Sequence, residues 1–129
     1  MAKKKMVLTV LTGCPDPERR EEFERWYMHT HLPDLKDTVG LVRARRFKNR
    51  VDENPSQSMT IYEFEHDNLD ECIGALQQSA GEAIGIGRHI DIFDLMGFYM
   101  WEEIEPDSLK PLEKVDYPKA PPKGIGMPG

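Results

Sequence analysis

The chain has 129 residues, 39% of them apolar, which is enough for one domain with a modest hydrophobic core. Its formal net charge of −6 argues against nucleic acid or an anionic membrane as the partner and favours a small organic ligand. Two cysteines are too few for a disulfide framework and lack the paired spacing of a metal site, so we expect a cytoplasmic protein. No stretch is long and apolar enough to cross a bilayer.

The first predicted element is a strand over residues 5–12, which are dense in Val, Leu and Thr and precede Gly13-Cys14-Pro15. The lysines before this segment and the cysteine after it imitate a lipoprotein signal. The apolar run from Met6 to Leu11 is short for such a signal. We therefore interpret the segment as a strand.

The clearest helix signal lies in residues 16–34, with the sequence DPERREEFERWYMHTHLPD. Asp16 can cap the free N–H groups, and Pro17 suits the first helical position. Because the residue before a proline avoids helical geometry, Pro33 predicts that the helix ends at about Leu32.

One face of this helix is aromatic. On a wheel with roughly 100° per residue and Phe23 at 0°, Trp26 lies near 300° and Tyr27 near 40°. His31 falls near 80°, at the flank of the aromatic stripe, whereas His29 falls near 240° and points to water by the same rough count. The pattern predicts an imidazole beside an aromatic wall at the end of a helix.

The remaining elements follow from periodicity and turn residues. The sequence predicts a strand over 41–50, a polar turn over 51–57, a strand over 58–65, a helix capped near Asn68, and a strand over 90–103. We expect this second helix to fray in the glycine-rich segment 79–87, which then forms a mobile cover over a cleft.

The last predicted strand is apolar on both faces. Alternation places Ile92, Met96, Phe98 and Met100 on one face, and Phe93, Leu95, Tyr99 and Trp101 on the other. Two helices cover only one side of a four-stranded sheet, so a second copy of the chain is expected on the other side. The order βαββαβ predicts an α+β, ferredoxin-like domain over residues 1–104, with a four-stranded antiparallel sheet that dimerises into an α+β barrel.

Residues 105–129 form a separate, proline-rich C-terminal extension that holds six of the ten prolines. Composition alone favours a loosely held extension. The alternative, which we prefer, is an arm that wraps the partner subunit and is anchored by Leu109, Leu112, Val115 and Tyr117.

Three segments, FERWYMHTHLPDL, VGLVRARRF and IYEFEH, resemble the EthD-like branch of the dimeric α+β barrel superfamily. The resemblance spans roughly residues 5–103 and rests on Trp26, Tyr27, His31 and Pro33, then Ala44, Arg45, Arg46 and Phe47, then Tyr62, Glu63 and Phe64. It implies a homodimer with a ligand site between the sheet and the helices of each subunit. The superfamily includes cofactor-free monooxygenases, polyketide cyclases, lactone isomerases, haem-dependent enzymes and proteins without known activity, because chemistry is grafted on a permissive scaffold.

His31 is the first candidate catalytic residue, since an imidazole with a reference pKa of roughly 6.5 exchanges protons near neutral pH. The competing interpretation is a structural histidine at the helix end. Further catalytic candidates are Tyr27, Glu63 and Arg45. Tyr27 could instead be a hydrogen-bonded core residue, and the two charged residues could instead form a cross-strand ion pair. The candidate substrate-binding residues are Trp26, Phe23, Tyr62, Phe93 and Tyr99.

No metal or cofactor is expected. His29 and His31 are two residues apart on a helix and face different ways, which is wrong for shared ligation. No haem attachment motif is present, and His89 is interpreted as a loop residue. We expect a cofactor-independent isomerase, cyclase or lyase that acts on a small aromatic or polyketide-like molecule. The alternatives are a non-catalytic ligand-binding or accessory protein, and a cofactor-free or haem-dependent monooxygenase.

Overall fold

The computed structural model describes residues 3–51, 56–104 and 119 of the chain. These residues form a four-stranded antiparallel sheet with helices on one face, in the strand order β2-β3-β1-β4. The elements are β1 (Lys4–Cys14), α1 (Arg20–Trp26), α2 (Leu32–Leu35), β2 (Leu41–Lys48), β3 (Ser56–His66), α3 (Leu69–Gly85) and β4 (Asp94–Glu102). The predicted α+β, ferredoxin-like fold is confirmed. The predicted C-terminal extension lies, apart from Lys119, outside the described residues.

The core lies between the sheet and the helices. Strand β1 is central and alternates as predicted, with Met6, Leu8 and Val10 buried on the helix side, which we call the inner face. Tyr62 and Phe64 of β3 pack beside them, and α3 adds its own apolar residues to the same cluster. The opposite, outer face of the sheet has no helix against it among the described elements.

The first helical segment does not end at Pro33. Asp16 caps a short 3₁₀ turn by accepting from the Glu18 amide at 3.0 Å, and α1 follows. A π-helical turn, Tyr27–His31, then joins α1 to α2, and Pro33 lies in the first turn of α2. The predicted end at Leu32 is therefore wrong. In a first turn the missing N–H of proline costs no hydrogen bond, and the wider π turn before it makes room for the ring.

Helix α3 begins where predicted, since the Asn68 side chain accepts from the Glu71 amide at 3.2 Å. The predicted fraying over residues 79–87 is wrong, because α3 continues to Gly85. Each glycine in a helix costs about 1 kcal/mol relative to alanine. Burial of Leu76 and Ala83 against the sheet offsets that cost. The chain leaves the helix at Gly87, whose φ of +75° suits glycine alone.

Strand β4 starts at Asp94 rather than at residue 90, and it contains a β-bulge. On β1, Leu11 pairs with Gly97 and Thr12 pairs with Leu95, so Met96 is the extra residue. The bulge reverses the alternation that the sequence predicts.

As a result, Leu95 lies on the inner face, in line with Phe98 and Met100. Met96 turns to the outer face, where its sulfur lies 3.0 Å from the position of a Cβ on Gly13. The predicted faces of Leu95 and Met96 are therefore exchanged, whereas those of Phe98 and Tyr99 are as expected.

Large apolar side chains are exposed on the outer face of the sheet, in agreement with the expectation that no helix covers it. Tyr99 is 50% exposed and Trp101 is 56% exposed, with Val42 and Phe47 on the far edge also exposed. Among the helices of the described ranges, none combines the length and apolarity needed to cross a membrane.

Candidate functional site

A cavity of about 180 Å³ lies on the inner face, between the sheet and helices α2 and α3. Its wall is mostly apolar and includes Phe93 and Phe98. The polar groups that line it are two imidazoles, two phenols and one amide, from His31, His89, Tyr27, Tyr62 and Gln77. A small apolar cavity with a few convergent polar groups is the usual form of a ligand site.

His31 is at the centre of this arrangement. Its side chain stacks on Trp26 with ring centroids 4.8 Å apart and an interplanar angle of 23°, and it meets the edge of Tyr27 at 4.9 Å. His31 is only 7% exposed, yet its ring forms no hydrogen bond with any residue in the described part of the chain. Its ring nitrogens are not fully shut off from the cavity, so a ligand or a water can hydrogen-bond to them.

Burial lowers the pKa of His31 to about 4, and the nearby charges of His89 and Arg46 act in the same direction. Asp34 opposes them more weakly. The imidazole is therefore neutral at neutral pH. It can therefore accept a proton, which is the base half of the acid/base role that the sequence predicts for His31, but it is not in the acid form at neutral pH.

The π-helical turn explains the stacking of Trp26 on His31. These two residues are five apart, which on a regular α-helix places them about 140° apart around the axis. In a π turn, with its i→i+5 hydrogen bonds, residues five apart lie nearly above one another. The wheel correctly placed His31 beside the buried face, but it could not show this contact.

His89 is a cavity residue that sequence reasoning missed. Its ring meets the edge of Trp26 at 4.7 Å and that of Phe93 at 5.0 Å, and it lies 5.8 Å from the His31 ring. Its Nδ1 donates to the Ile90 carbonyl at 2.9 Å, which fixes the orientation of the ring. The residue follows α3 in an irregular segment, so no periodic pattern marks it.

The segment that carries His89 is fastened to the helix of His31. Arg88 forms a two-pronged ion pair with Asp34 at 2.8 and 2.9 Å, and the Trp26 indole donates to the Arg88 carbonyl at 2.8 Å. Two residues after His89, Asp91 accepts from Arg19 at 2.7 and 3.0 Å. The predicted mobile cover is thus partly helical and partly held by ion pairs.

The phenol groups of Tyr27 and Tyr62 are neighbours in the wall of the cavity. Tyr27 and Tyr62 are almost completely buried. Burial raises the pKa of Tyr62 well above its usual value, and the charge and hydrogen bond of the neighbouring Tyr27 hydroxyl raise it further. The Tyr62 hydroxyl group therefore stays protonated across the physiological range as a hydrogen-bond donor.

Behind Tyr27 is a buried charge that the sequence did not assign to the site. The Arg46 guanidinium carbon lies 3.6 Å from the centroid of the Tyr27 ring. Arg46 forms a two-pronged ion pair with Glu24 at 2.6 and 2.8 Å, and it donates to the hydroxyls of Thr60 at 2.9 Å and Thr12 at 3.0 Å. Its side chain is 4% exposed.

Several predicted site residues do not meet at this cavity. Arg45 and Glu63 lie on the outer face of the sheet, where Glu63 pairs with Arg43 and, at 3.5 Å, with Arg45. Tyr99 is also on the outer face. Phe23 is buried in a neighbouring aromatic cluster that contacts Tyr27 and Phe93.

A larger groove of about 570 Å³ lies on the outer face, lined by Val42, Arg43, Glu63 and Trp101. Its Arg43 and Glu63 side chains are paired with each other and partly exposed, whereas the His31 ring is buried and forms no hydrogen bond within the described residues. For a ligand site we therefore prefer the inner cavity. Within the described ranges, no three His, Cys, Asp or Glu side chains converge as a metal site would require.

No protein-family model matches the sequence, and no curated protein matches it. Two solved structures are similar in fold. HapK from Hahella chejuensis is 13% identical, with a TM-score of 0.57 over 77% of this chain and 92% of HapK. An ethyl tert-butyl ether d (EthD) family protein from Bacillus halodurans is 18% identical, with a TM-score of 0.47 over 78% of this chain and 99% of that protein. The likeness to HapK confirms, at the level of the fold, that this chain has the α+β architecture expected from its helix motif.

Proposed function

We propose that the chain is a small enzyme that binds a neutral organic molecule in the inner cavity and removes a proton from it with His31. The observation that carries the proposal is the imidazole itself, which is 7% exposed and without a hydrogen-bond partner in the part of the chain described. Because the ring nitrogens can be reached from the cavity, a bound molecule can supply the hydrogen bond that the described residues do not.

The cavity volume indicates the size of the ligand. An engineered protein cavity of about 150 Å³ holds benzene, so the 180 Å³ here matches a one-ring molecule. The two phenylalanine walls favour an aromatic or otherwise apolar body. The cavity is open at the side of Leu95 and Phe98, which are 54% and 38% exposed, so a larger ligand would extend past these two residues.

The state of His31 favours proton abstraction over acid catalysis. A neutral imidazole needs no prior deprotonation at neutral pH, and a pKa of about 4 makes it a weaker base than a free imidazole but one that is fully available to accept a proton. Isomerisation, cyclisation and lyase reactions all begin with such a step. A non-catalytic binding protein with the same cavity is the competing function, and it predicts binding without proton transfer.

The probe for this step is the base-catalysed ring opening of 5-nitrobenzisoxazole to 2-cyano-4-nitrophenolate, which is followed by absorbance. In this reaction a base removes the ring C–H proton and the N–O bond breaks, so no cofactor is needed. We expect the chain to accelerate it, and His31→Gln to lose about a hundredfold of the rate. The matched control is His29→Gln, an exposed histidine on the same helical segment, which should keep the rate.

The pH profile gives a second criterion. Because the pKa of His31 is about 4, the rate should be level from about pH 5.5 upwards and fall only in acid. No acceleration, or equal acceleration by wild type and His31→Gln, would contradict the proposal. Binding of the compound without turnover would favour the non-catalytic function.

We also propose that two copies associate through the outer faces of their sheets. That surface combines exposed apolar residues with charges of both signs, as a self-complementary interface requires. Its members are Val42, Phe47, Tyr99 and Trp101 with Arg43, Arg45, Glu63 and Glu65. We expect sedimentation to show a dimer that Trp101→Asp dissociates and Ile84→Asp, at an exposed apolar position on α3, does not. A monomeric wild type would contradict it.

A cytoplasmic location completes the proposal. Both cysteines, Cys14 and Cys72, are buried as free thiols. Burial raises the pKa of the Cys72 thiol, so it stays protonated and unreactive. Two buried free thiols support a reducing compartment.

A further inference from the structure

We propose that the hydroxyl groups of Tyr27 and Tyr62, with the guanidinium group of Arg46 behind them, form an oxyanion-binding site in the cavity of His31. The ligand would then be a one-ring carbonyl compound or phenol whose oxygen becomes anionic when a proton is removed. This inference rests on the proposed function and names the substrate class of the same site.

The first support is the number of hydroxyl protons. The hydroxyl groups of Tyr27 and Tyr62 are neighbours, so they can use at most one of their two protons on each other. Neither hydroxyl forms a further hydrogen bond within the described ranges, and both residues line the cavity. One O–H is therefore available to a ligand atom. Protonated phenols in a dry site are effective donors to an oxyanion.

The second support is the position of the buried positive charge. Arg46 does not line the cavity; it contacts the ring of Tyr27 at 3.6 Å from guanidinium carbon to centroid. All three of its guanidinium nitrogens donate hydrogen bonds, to Glu24, Thr60 and Thr12, so the group is held in place. A cation against the face of a phenol draws electron density from the ring and strengthens its O–H as a donor.

The third support is that the charge of Arg46 reaches the cavity groups. The charge of Arg46 lowers the pKa of His31. It also acts to lower the pKa of Tyr62, although the larger effect of burial raises that pKa overall. Glu24 compensates the charge of Arg46 in part, but its side chain is 38% exposed and partly solvated, whereas that of Arg46 is 4% exposed. The potential that Tyr27 and Tyr62 experience is therefore positive on balance.

The reaction that these groups support is balanced without a cofactor. His31 takes a proton from a carbon next to a carbonyl group, and the C–H electron pair forms a new carbon–carbon double bond. The carbonyl π electrons move to the oxygen, which accepts the free tyrosine O–H as a hydrogen bond. In a substrate with a carbon–carbon double bond next to the carbon that loses the proton, His31 returns the proton to the far carbon of that bond. The double bonds then shift by one position, the carbonyl re-forms, and the isomerisation is complete.

The test compares an anionic ligand with a neutral molecule of the same shape. The probes are 4-nitrophenolate at pH 9 and 4-nitrotoluene, titrated into the full-length protein and followed by absorbance and by NMR. At pH 9 His31 is neutral, because its pKa is about 4, and Tyr62 is protonated, because its pKa is well above the usual value. We expect Arg46→Met and Tyr62→Phe each to weaken 4-nitrophenolate binding about tenfold and 4-nitrotoluene binding less than twofold.

The matched control is Arg25→Met, which removes an exposed arginine from α1 and should change neither affinity. If Arg46→Met does not fold, Tyr62→Phe and the charge-free double variant Arg46→Met/Glu24→Gln carry the same comparison. Equal weakening of both probes, or unchanged phenolate binding in Tyr62→Phe, would overturn the oxyanion site and leave His31 as the base. Failure of wild type to bind either probe would overturn the cavity and the proposed function together.

Discussion

The pair formed by Arg46 and Glu24 allows a stability prediction whose sizes follow from the structure. Replacing Glu24 by Gln keeps the shape of the side chain but leaves the Arg46 charge, 4% exposed, without a carboxylate. Breaking a buried pair from one side costs about 3–5 kcal/mol. Because the carboxylate itself is 38% exposed and partly screened, we expect the lower end, about 3 kcal/mol.

The opposite change should cost less. Arg46→Met leaves behind a carboxylate that water already reaches, so the loss is mainly the contact with Tyr27 and two hydroxyl hydrogen bonds, about 2 kcal/mol. The double variant Arg46→Met/Glu24→Gln contains no buried charge and should lose only about 2 kcal/mol. The two single changes are therefore expected to be non-additive by about 3 kcal/mol.

Urea unfolding at a fixed protein concentration measures all three variants, since any dimer makes stability depend on concentration. The matched control is Glu22→Gln, which breaks the exposed pair with Arg19 on the same helix and should cost less than about 1 kcal/mol. A loss below about 1 kcal/mol for Glu24→Gln, or simple additivity in the double variant, would show that Arg46 is not a desolvated charge.

Three further predictions concern other parts of the molecule. The pKa of His31, about 4 when folded and about 6.5 when unfolded, means that stability is complete above about pH 6.5 and falls by roughly 3 kcal/mol as the pH drops to 4. Urea midpoints across this range should show that slope in wild type, and a slope unchanged in His31→Gln would contradict it. Gly40→Ala should destabilise the fold by more than about 2 kcal/mol in thermal unfolding, since φ is +80° and a Cβ would lie 2.5 Å from a buried thiol sulfur. Gly74→Ala has open space around its Cβ and should stabilise the fold by up to about 1 kcal/mol. Equal effects of the two substitutions would contradict this prediction. Arg88→Gln breaks an exposed ion pair with Asp34, so it should change the free energy of unfolding by less than about 1 kcal/mol. It should nevertheless weaken 4-nitrotoluene binding several-fold, because the pair holds the segment that carries His89. Unchanged binding would show that the pair does not shape the cavity.

The fold was largely predictable because hydrophobic periodicity survives in single sequences. Alternation in β1 and β3 and the caps at Asp16 and Asn68 place the elements to within a few residues. Local rules failed where packing outweighs them. Pro33 lies inside a helical segment because a π turn precedes it, and the glycines of α3 remain helical because neighbouring residues are buried.

The site was predictable only in part. The helix motif and the alternation of β3 point to Tyr27, Tyr62 and the key residue His31, which line the cavity, and to Trp26, which stacks on His31. Phe93 also lines the cavity, although alternation groups it with Tyr99 of the outer face. Which of the charged residues of β2 faces inward could not be read from the sequence. That strand carries arginines on both faces, so alternation separates Arg45 from Arg46 but does not say which one is buried.

His89 was missed for a different reason. It lies in an irregular segment whose path is set by long-range contacts, chiefly the ion pairs of Arg88 with Asp34 and of Asp91 with Arg19. Such contacts join residues more than fifty positions apart, and no local pattern encodes them.

The central claim is that His31 is a buried, neutral imidazole that faces a ligand cavity. The most direct test is an NMR titration of the His31 ring in the full-length protein, assigned by comparison with His31→Gln. We expect the His31 ring to have a pKa of about 4 and its resonances to shift on addition of 4-nitrotoluene. A pKa near the reference value of roughly 6.5, together with ring resonances that do not shift on addition of 4-nitrotoluene, would contradict a buried His31 beside a ligand cavity.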